Sequence, residues 1–204
     1  MAVPDKINQL KKHGKDTSTF YFKQFKVEDG RSTMKVGTDA VLLGAVAVLE
    51  NAGNILEIGT GCGIIALILA QRTQSLIDAL EIDEESVIQA KENVSNSPWK
   101  DRINVMHCSL QNYIHEADKK YDLVISNPPY FSRSLKPVSK KRNISRHDDF
   151  LSYDELIEGS SELMLPEASL WIILPVKESS KFLEIAGRSG FLIHYLLKIA
   201  TKKG

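Results

Sequence analysis

The sequence predicts a doubly wound α/β protein, in which a parallel β-sheet carries helices on both faces. Three observations support this fold class. From about residue 53 onward, short apolar runs alternate with segments of helical length, which is the pattern of β-α-β units. These runs lack the apolar–polar alternation of a half-exposed strand, as expected for strands that are covered on both faces. The chain has 204 residues, 43% of them hydrophobic, which is enough for one such domain.

The chain is predicted to begin with an N-terminal extension that carries a lid helix, at residues 1–50, followed by a core domain at residues 51–204. In the extension, residues 20–27 alternate apolar and polar side chains, which predicts a short strand or a hairpin. The segment Glu28-Asp29-Gly30 is predicted to be its turn.

The lid helix is predicted over residues 37–49. Thr38 or Asp39 is expected to be its N-cap, because short polar side chains accept hydrogen bonds from the first-turn N–H groups. The core strands are predicted at residues 54–58, 77–82, 103–107, 121–126, 169–174 and 191–200. The core helices are predicted at residues 64–72, 85–95, 153–165 and 178–188.

Composition narrows the range of possible functions. Lys and Arg together number 26, as do Asp and Glu, so the formal net charge is zero, yet residues 133–146 include six basic residues and no acidic one. A neutral total can therefore hide a basic surface. Cys62 and Cys108 are too few for a disulfide framework or a zinc site, so we expect reduced thiols and no metal.

Targeting signals are also absent from the sequence. No apolar run reaches the ~18 residues that a membrane span needs, and the start of the chain does not resemble a secretory signal peptide. We therefore expect a cytoplasmic protein without membrane association. Nothing in the sequence indicates an obligate protein partner.

The first strong motif lies between the predicted strand at 54–58 and the helix that follows it. It runs from Glu57 to Gly63 with the spacing G-x-G-x-G, starting at Gly59 and continuing through Gly61. Dinucleotide-binding loops have the spacing G-x-G-x-x-G, but here the third of those positions is Ile64. The more compact loop favours a nucleoside cofactor without a pyrophosphate, which is S-adenosylmethionine.

An acidic residue in the next strand agrees with this cofactor. Glu81 lies at the end of the strand predicted at 77–82, and a carboxylate there can accept hydrogen bonds from both ribose hydroxyls. Asp83 is the alternative, but it is expected to begin the following turn. A purely structural strand-to-helix turn with a capping acid remains the competing interpretation.

The sharpest motif is Asn127-Pro128-Pro129-Tyr130, directly after the predicted strand at 121–126. Loops at the carboxyl ends of parallel strands line the ligand crevice of doubly wound sheets. The two prolines remove backbone donors and stiffen the segment, which leaves the Asn127 side-chain oxygen and the Pro128 carbonyl as acceptors beside the flat ring of Tyr130. This set suits methyl transfer to a planar, conjugated amine, although a Pro-Pro turn that merely closes a strand is the structural alternative.

These motifs together resemble class I, Rossmann-like S-adenosylmethionine-dependent methyltransferases that act on exocyclic amines. More narrowly, the chain resembles the bacterial tRNA1(Val) adenine-37 N6-methyltransferases, from about residue 20 to about residue 174. The matching segments are Phe22-Lys23-Gln24-Phe25, Met34-Lys35-Val36-Gly37-Thr38-Asp39, Glu57 to Gly63, Ser97-Pro98-Trp99, Arg102-Ile103 and Ser126 to Tyr130.

The resemblance implies a set of site residues. Asn127 and Pro128 would hold the adenine N6, and Tyr130 would stack on the base. Lys35, with Thr38 and Asp39, would cover the methionine end of the cofactor or help to form a lid. Ser109 stands where related enzymes often have an acid near the cofactor adenine. The expected catalytic residues are Asn127, Pro128, Pro129 and Tyr130. The expected cofactor-binding residues are Lys35, Thr38, Asp39, Glu57, Gly59, Gly61, Glu81, Ser109 and Asn127.

A basic segment directly follows the Asn-Pro-Pro-Tyr motif and is a candidate for binding tRNA phosphates. A base in an anticodon loop must leave its stack to enter a pocket, and such loops are held by stacking and phosphate contacts. A solvated charged loop is the alternative interpretation. The expected RNA-binding residues are Phe131, Arg133, Lys136, Lys140, Lys141 and Arg142.

Two other functions remain open on the sequence. Protein-glutamine N5-methyltransferases also use Asn-Pro-Pro-Tyr, but they resemble this core with a larger helical N-terminal domain. A non-catalytic RNA-binding module on a methyltransferase fold is the second alternative. Class I methyltransferases usually add an antiparallel strand beside the strand predicted at 191–200, and residues 201–204 leave no room for it, so we expect that strand to be missing.

Overall fold

A computed structural model describes residues 18–129 and 151–200 of the chain. The chain divides into two compact units, the first formed by residues 1–128 and 163–173 and the second by residues 129–162 and 174–204. The elements in chain order are β1 (Thr19–Tyr21), β2 (Lys26–Glu28), α1 (Thr38–Val46), β3 (Asn54–Ile58), α2 (Ile64–Arg72), β4 (Leu76–Glu81), α3 (Glu84–Ser95), β5 (Ile103–His107), α4 (Leu110–Glu116), β6 (Tyr121–Ser126), α5 (Tyr153–Leu163), β7 (Met164–Ile172) and α6 (Val176–Arg188).

The first unit is built on a five-stranded sheet in the order β5-β4-β3-β6-β7. All four strand pairs are parallel, so the predicted doubly wound sheet is confirmed. The chain moves outward from β3 to β5 and then returns to the other side of β3 with β6. The strand order therefore reverses between β3 and β6, and this switch point is where open α/β sheets bind ligands.

The core of the first unit depends on α2, which is apolar all round. Residues 64–70 of this helix are all buried, and α2 contacts both α1 and strands β4 and β5. Gly44 of α1 allows the close approach of these two helices, because a Cβ at that position would lie 3.1 Å from Ile68. The core is thus continuous from the sheet through α2 to α1.

Near the amino-terminal ends of the strands, Asp78 in β4 is the centre of a fully hydrogen-bonded polar cluster. Asp78 Oδ2 accepts a hydrogen bond from the Tyr121 hydroxyl at 2.7 Å and pairs with Lys119 Nζ at 2.5 Å, while Oδ1 accepts from Asn104 Nδ2 at 3.0 Å. Burial alone would raise the pKa of Asp78, but these donors outweigh it and hold the pKa below its ordinary value. The cluster joins β4 to β5 and to the start of β6.

The N-terminal hairpin forms as predicted, but its turn lies elsewhere. The turn is closed by a hydrogen bond from Phe22 N to Phe25 O at 2.8 Å, and Glu28 still pairs with Thr19. The predicted turn at Glu28-Asp29-Gly30 was therefore wrong by several residues. Glycine and aspartate mark the end of the second strand here and not the reversal between the strands.

The predicted N-cap of the lid helix was also wrong. Helix α1 begins at Thr38, and its N-cap is Gly37, which has an extended backbone (φ −115°, ψ 159°) and makes no side-chain capping bond. Glycine is an accepted N-cap residue, so the chain needs no capping side chain there. Thr38 and Asp39 instead occupy the first turn.

Three further differences concern the predicted elements. Strand β7 starts at Met164 and not at residue 169, because Met164 pairs with Tyr121 across an irregularity in the ladder. The short helix α4 was not predicted. Residues 191–200 were predicted as a strand but have no regular structure, and their side chains are mostly exposed, because the apolar run finds no strand partner in the described parts of the chain.

The second unit contains α6 and all of α5 except its last residue. A capping box starts α5, since Glu155 N donates to Ser152 Oγ at 3.2 Å and Ser152 N donates to Glu155 Oε2 at 2.7 Å. Tyr153 and Phe182 meet edge to face with ring centroids 5.5 Å apart. Within the described residues, no helix has the length and apolar character that a membrane span requires.

Candidate active site

The register of the parallel strands brings the predicted motifs to one edge of the sheet. Ile58 of β3 pairs with Leu80 of β4 and with Ser126 of β6. The residues that follow each of these, Glu81 and Asn127 among them, therefore emerge side by side at the carboxyl ends of the strands. Ser126 fixes this register further, because its hydroxyl donates to Ile58 O at 2.7 Å.

The glycine loop between β3 and α2 needs all three of its glycines. Gly59, Gly61 and Gly63 have φ values of 75°, 57° and 85°, a region that favours glycine. Among the described residues, a Cβ on Gly59 would meet nothing within 4 Å, whereas one on Gly63 would lie in ordinary contact, 3.5 Å from Ala90 Cβ in α3. The positive φ of Gly63, and not crowding, therefore favours glycine there, and the open space above Gly59 can admit a ligand.

Glu57 supports the glycine loop from within the core. Its Oε2 accepts hydrogen bonds from Thr60 Oγ1 at 2.7 Å and from Ala66 N at 3.0 Å, so one carboxyl oxygen joins the loop to the first turn of α2. Burial raises the pKa of Glu57 to about 8. Its other oxygen, Oε1, is buried and has no hydrogen-bond partner among the described residues.

Glu81 organises the backbone on both sides of the cleft. Its Oε2 accepts from Gly61 N at 2.8 Å, and its Oε1 accepts from Ile82 N at 2.9 Å and Asp83 N at 3.0 Å. A carboxylate has about four acceptor sites, of which these bonds use three, so one site on Oε2 remains for a hydroxyl of a ligand. Asp83 instead caps α3 by accepting from Ser86 N at 2.9 Å, which agrees with the preference for Glu81.

The end of β5 forms the next wall. Glu81 pairs with His107 in the ladder, and Cys108 N donates to Glu81 O at 3.0 Å. Ser109 is the N-cap of α4, where its Oγ accepts from Asn112 N at 3.1 Å. Beside this wall lies Ile82, whose side chain is 53% exposed. Ile82 was not among the predicted site residues, and its exposure beside Glu81 makes it a further candidate.

Asn127 presents an acceptor at the switch point. Its Oδ1 atom is buried and has no hydrogen-bond partner within residues 18–129 and 151–200, and Pro128 is buried while Pro129 is exposed. A buried amide oxygen without a partner costs free energy, so a donor supplied by a substrate would be favoured there. The other predicted catalytic residue, Tyr130, and the predicted RNA-binding residues lie outside the described residues: Phe131, Arg133, Lys136, Lys140, Lys141 and Arg142.

Lys35 has a structural partner in the segment before α1. Its Nζ donates to Asp29 O at 2.6 Å and to Gly30 O at 3.3 Å, and it lies 3.7 Å from Asp29 Oδ1. Lys35 therefore closes the loop in which it lies. Thr38 is exposed and Asp39 is half-buried, and both stay candidates for the cofactor site.

The two cysteines do not form a disulfide with each other. Both are free thiols, and burial raises the pKa of Cys62 to about 12, which keeps its sulfur protonated at neutral pH. Within the described ranges, no three His, Cys, Asp or Glu side chains are placed to bind one metal ion.

Comparison with known proteins assigns the family. Residues 31–177 match the family model of the methyltransferase small domain. The tRNA1(Val) (adenine(37)-N6)-methyltransferase of Trichodesmium erythraeum is 46% identical over 193 residues, which cover 90% of this chain and 81% of that protein. The enzyme of the same name from Phocaeicola vulgatus is 47% identical over 91% of this chain and 78% of its own length. The chain belongs to this methyltransferase family.

Solved structures agree with the fold of the family. A SAM-dependent methyltransferase from Agrobacterium tumefaciens matches 86% of this chain and 59% of its own with a TM-score of 0.60 at 15% identity. The ribosomal protein L11 methylase of Lactobacillus delbrueckii subsp. bulgaricus matches 79% of this chain and 71% of its own, with a TM-score of 0.57 and 18% identity. At these identities the likeness concerns the fold alone, and the fold is the doubly wound sheet of methyltransferases.

Proposed function

We propose that this protein transfers a methyl group from S-adenosylmethionine to the exocyclic N6 of adenine in tRNA, at adenine 37 of tRNA1(Val). The observation that carries the proposal is the buried, unpartnered Oδ1 of Asn127, which emerges beside the glycine loop at the switch point of the sheet. The names of the relatives supply the substrate. A tRNA substrate also implies a cytoplasmic location.

The residues at the carboxyl ends of β3 and β4 fit this cofactor. The open space above Gly59 suits a close approach to the backbone, and Glu81 Oε2 has one acceptor site left for a ribose hydroxyl. The exposed side chain of Ile82 and the wall formed by Cys108 and Ser109 suit an adenine ring. When bound, S-adenosylmethionine supplies an activated methyl group.

Asn127 and Pro128 would prepare the amine for reaction. The N6 lone pair of adenine is delocalised into the ring, so the amine is a poor nucleophile. Two acceptors, Asn127 Oδ1 and the Pro128 carbonyl oxygen, would hold its two hydrogens and orient the lone pair toward the methyl donor. The nitrogen loses its proton after the new bond has formed, so no strong base is needed. Positioning and electrostatics supply the catalysis.

The tRNA would reach this site with adenine 37 turned out of its stack. Tyr130 is proposed to stack on the base, and the basic segment at residues 133–146 is proposed to contact phosphates. Both assignments rest on the sequence. The alternative of a protein-glutamine N5-methyltransferase finds no support among the relatives compared, whose names all specify a tRNA adenine.

The deciding experiment uses unmodified tRNA1(Val) and its variant with guanine in place of adenine 37. We expect N6-methyladenosine in the wild-type transcript only, detected by nucleoside mass spectrometry after incubation with the protein and S-adenosylmethionine. Equal methylation of both transcripts would move the target to another adenine. Methylation of glutamine in a peptide, with none in either tRNA, would favour the glutamine alternative, and binding of tRNA without methyl transfer would favour the non-catalytic module.

A further inference from the structure

Residues 29–36, which we name the strap, form a closed loop between β2 and α1. Asp29 holds the two ends of the strap together, because its buried Oδ2 accepts from Val36 N at 2.9 Å. The backbone oxygen of Asp29 accepts from Ser32 N at 3.2 Å and from Lys35 Nζ at 2.6 Å. The strap is therefore a compact unit that can dock as a whole.

One face of α3 binds the strap through polar side chains. Ser86, Gln89 and Asn93 are three or four residues apart and so share a face of the helix, and all three are buried. Ser86 Oγ accepts from Thr33 N at 3.1 Å, and Gln89 Oε1 accepts from Arg31 N at 3.2 Å. A buried helix face is usually apolar, whereas this face is shaped to satisfy the backbone of one specific segment.

Asn93 joins the same segment to the glycine loop. Its Oδ1 accepts from Glu28 N at 3.0 Å, and its Nδ2 donates to Glu28 O at 2.7 Å and to Cys62 O at 2.8 Å. One buried amide thus bridges Glu28, the residue before the strap, and Cys62, the residue between the second and third glycines of the G-x-G-x-G motif. Both hydrogens of the amide are used, so Asn93 has no donor left for a ligand.

The strap also lies beside the glycine loop. Ser32 Oγ lies 3.5 Å from where a Cβ on Gly61 would be, and it is 3.3 Å from Ser86 Oγ. Ser86 Oγ lies 2.7 Å from Asp83 Oδ2, next to the Glu81 turn. Contacts therefore run from both sides of the candidate cofactor site, through α3, to the strap.

We propose that Ser86, Gln89 and Asn93 form a latch of positioning residues that sets the affinity and the residence time of the cofactor without touching it. The inference rests on the proposed use of S-adenosylmethionine. A loop with three left-handed glycines loses much conformational entropy when it is ordered. By fixing the carbonyl between Gly61 and Gly63, Asn93 orders the loop before the cofactor arrives, and such preorganisation strengthens binding.

The test compares Asn93→Ala with Asn96→Ala, a matched control at the exposed end of α3, where Asn96 Nδ2 donates to Glu92 O at 2.9 Å. The probe is S-adenosylhomocysteine, titrated by calorimetry. We expect Asn93→Ala to raise its Kd and the KM for S-adenosylmethionine at least about tenfold, with a faster dissociation rate. The kcat at saturating cofactor should stay within about twofold of wild type, because Asn93 is absent from the reacting centre.

Hydrogen exchange gives a readout that does not need activity. Backbone amides of the strap and of residues 59–63 should exchange faster together in Asn93→Ala and at wild-type rates in Asn96→Ala. Gln89→Met removes only the bond to Arg31 N, so it should raise the Kd less while it accelerates exchange in the strap. This variant decides the question if Asn93→Ala does not fold.

Binding of the probe to the wild-type protein distinguishes a failure of the latch from a failure of the proposed cofactor. If wild type binds S-adenosylhomocysteine and the folded latch variants bind it equally well, the latch is overturned. A Kd increase of the same size in Asn96→Ala, or a loss confined to kcat, would overturn it as well. If wild type itself does not bind the probe, the proposed cofactor is overturned, and the role of the latch in its binding falls with it.

Discussion

The two ends of one sheet treat buried polar groups in opposite ways. At the amino end, both oxygens of the Asp78 carboxylate have side-chain donors: Oδ1 accepts from Asn104, and Oδ2 accepts from Tyr121 and pairs with Lys119. At the carboxyl end, Glu57 Oε1 and Asn127 Oδ1 are buried with no hydrogen-bond partner among the described residues. Both regions contain a carboxyl group and an asparagine amide, but in the described parts of the chain only the amino end hydrogen-bonds them to each other.

This difference indicates that the amino end contributes mainly to stability and that the carboxyl end contains the candidate active site. A fully hydrogen-bonded buried cluster stabilises the fold, because removing one member leaves its buried partners without hydrogen bonds. An unpartnered buried acceptor lowers stability, and proteins retain such departures at functional sites. Variants at the two ends should therefore differ in whether they change activity or stability.

The largest effect is expected for a pair of asparagines, one at each end. Asn127→Ala should lower methyl transfer by about 100-fold or more, the usual scale for removing one oriented polar group, while cofactor binding is kept. Asn104→Ala, at the amino end, should leave turnover unchanged and lower the unfolding temperature. Single-turnover assays and thermal unfolding of both variants check this. Near-normal turnover in Asn127→Ala would contradict the assignment of the site.

The amino end should dominate stability. Asp78→Ala leaves three donors without their acceptor, so we expect a loss of about 2–3 kcal/mol in the free energy of unfolding, measured by urea titration, with kcat unchanged in the native range. The pKa of Asp78 is lowered by folding, so its stabilisation is present above the unfolded pKa of about 3.9 and is lost as the pH falls through the folded value. The advantage of wild type should therefore shrink only in acid.

Glu81 should combine both kinds of role. Glu81→Ala removes the acceptor of Gly61 N, Ile82 N and Asp83 N and the proposed ribose contact, so S-adenosylmethionine binding should weaken by about 1.5–3 kcal/mol, measured by calorimetry. The control is Asp83→Ala, which removes a helix cap and should lower stability more than affinity. Wild-type affinity in Glu81→Ala would mean that another group holds the ribose.

Glu57 should make stability fall as the pH rises. Burial raises its folded pKa to about 8, above the ordinary value of 4.5, so between these values the folded state holds a proton that the unfolded state has released. The stability of wild type relative to Glu57→Gln should decline across this range, by at most about 1.4 kcal/mol per pH unit. Unfolding titrations of both proteins at pH 5, 6, 7 and 8 check the direction, and parallel curves would show that Glu57 is not the titrating group.

The smallest effect concerns how RNA reaches the carboxyl end. Lys140→Ala/Lys141→Ala/Arg142→Ala should raise the KM for tRNA several-fold and make the slope of log affinity against log salt shallower by about one to two units. Affinity for S-adenosylmethionine should not change. An unchanged salt slope in a folded triple variant would point to the lysines of the N-terminal 35 residues instead.

Much of the fold was predictable because local signals and tertiary packing agree. Strands β3, β5 and β6 and helix α2 have the predicted bounds, since each apolar run ends at a glycine or a polar turn residue. The strand predicted at residues 191–200 was wrong, because strand formation requires a partner strand that a local apolar pattern does not reveal. Helix α4 was missed, although Ser109 is a capping residue with a recognisable type.

The placement of the candidate site residues was predictable to the extent that they lie in contiguous motifs at strand ends. The glycine loop and Glu81 were predicted from their spacing and Asn127 from the Asn-Pro-Pro-Tyr motif, and the strand register places them side by side; their roles stay predictions. The latch was invisible in the sequence because Asn93 contacts residues 65 and 31 positions away. A buried asparagine in an otherwise ordinary helix carries no local sign of such partners.

The position of β3 at the centre of the sheet has a consequence for synthesis of the protein. Its first neighbour, β4, follows after a single helix, whereas its second neighbour, β6, brings Ser126 to Ile58 from 68 residues away. On the ribosome, the half that contains the glycine loop, Glu81 and the latch can therefore assemble before Asn127 has left the exit tunnel. Long-range parallel pairing is slow, so docking of β6 is expected to be the late step of folding, and it is the step that brings Asn127 beside the glycine loop.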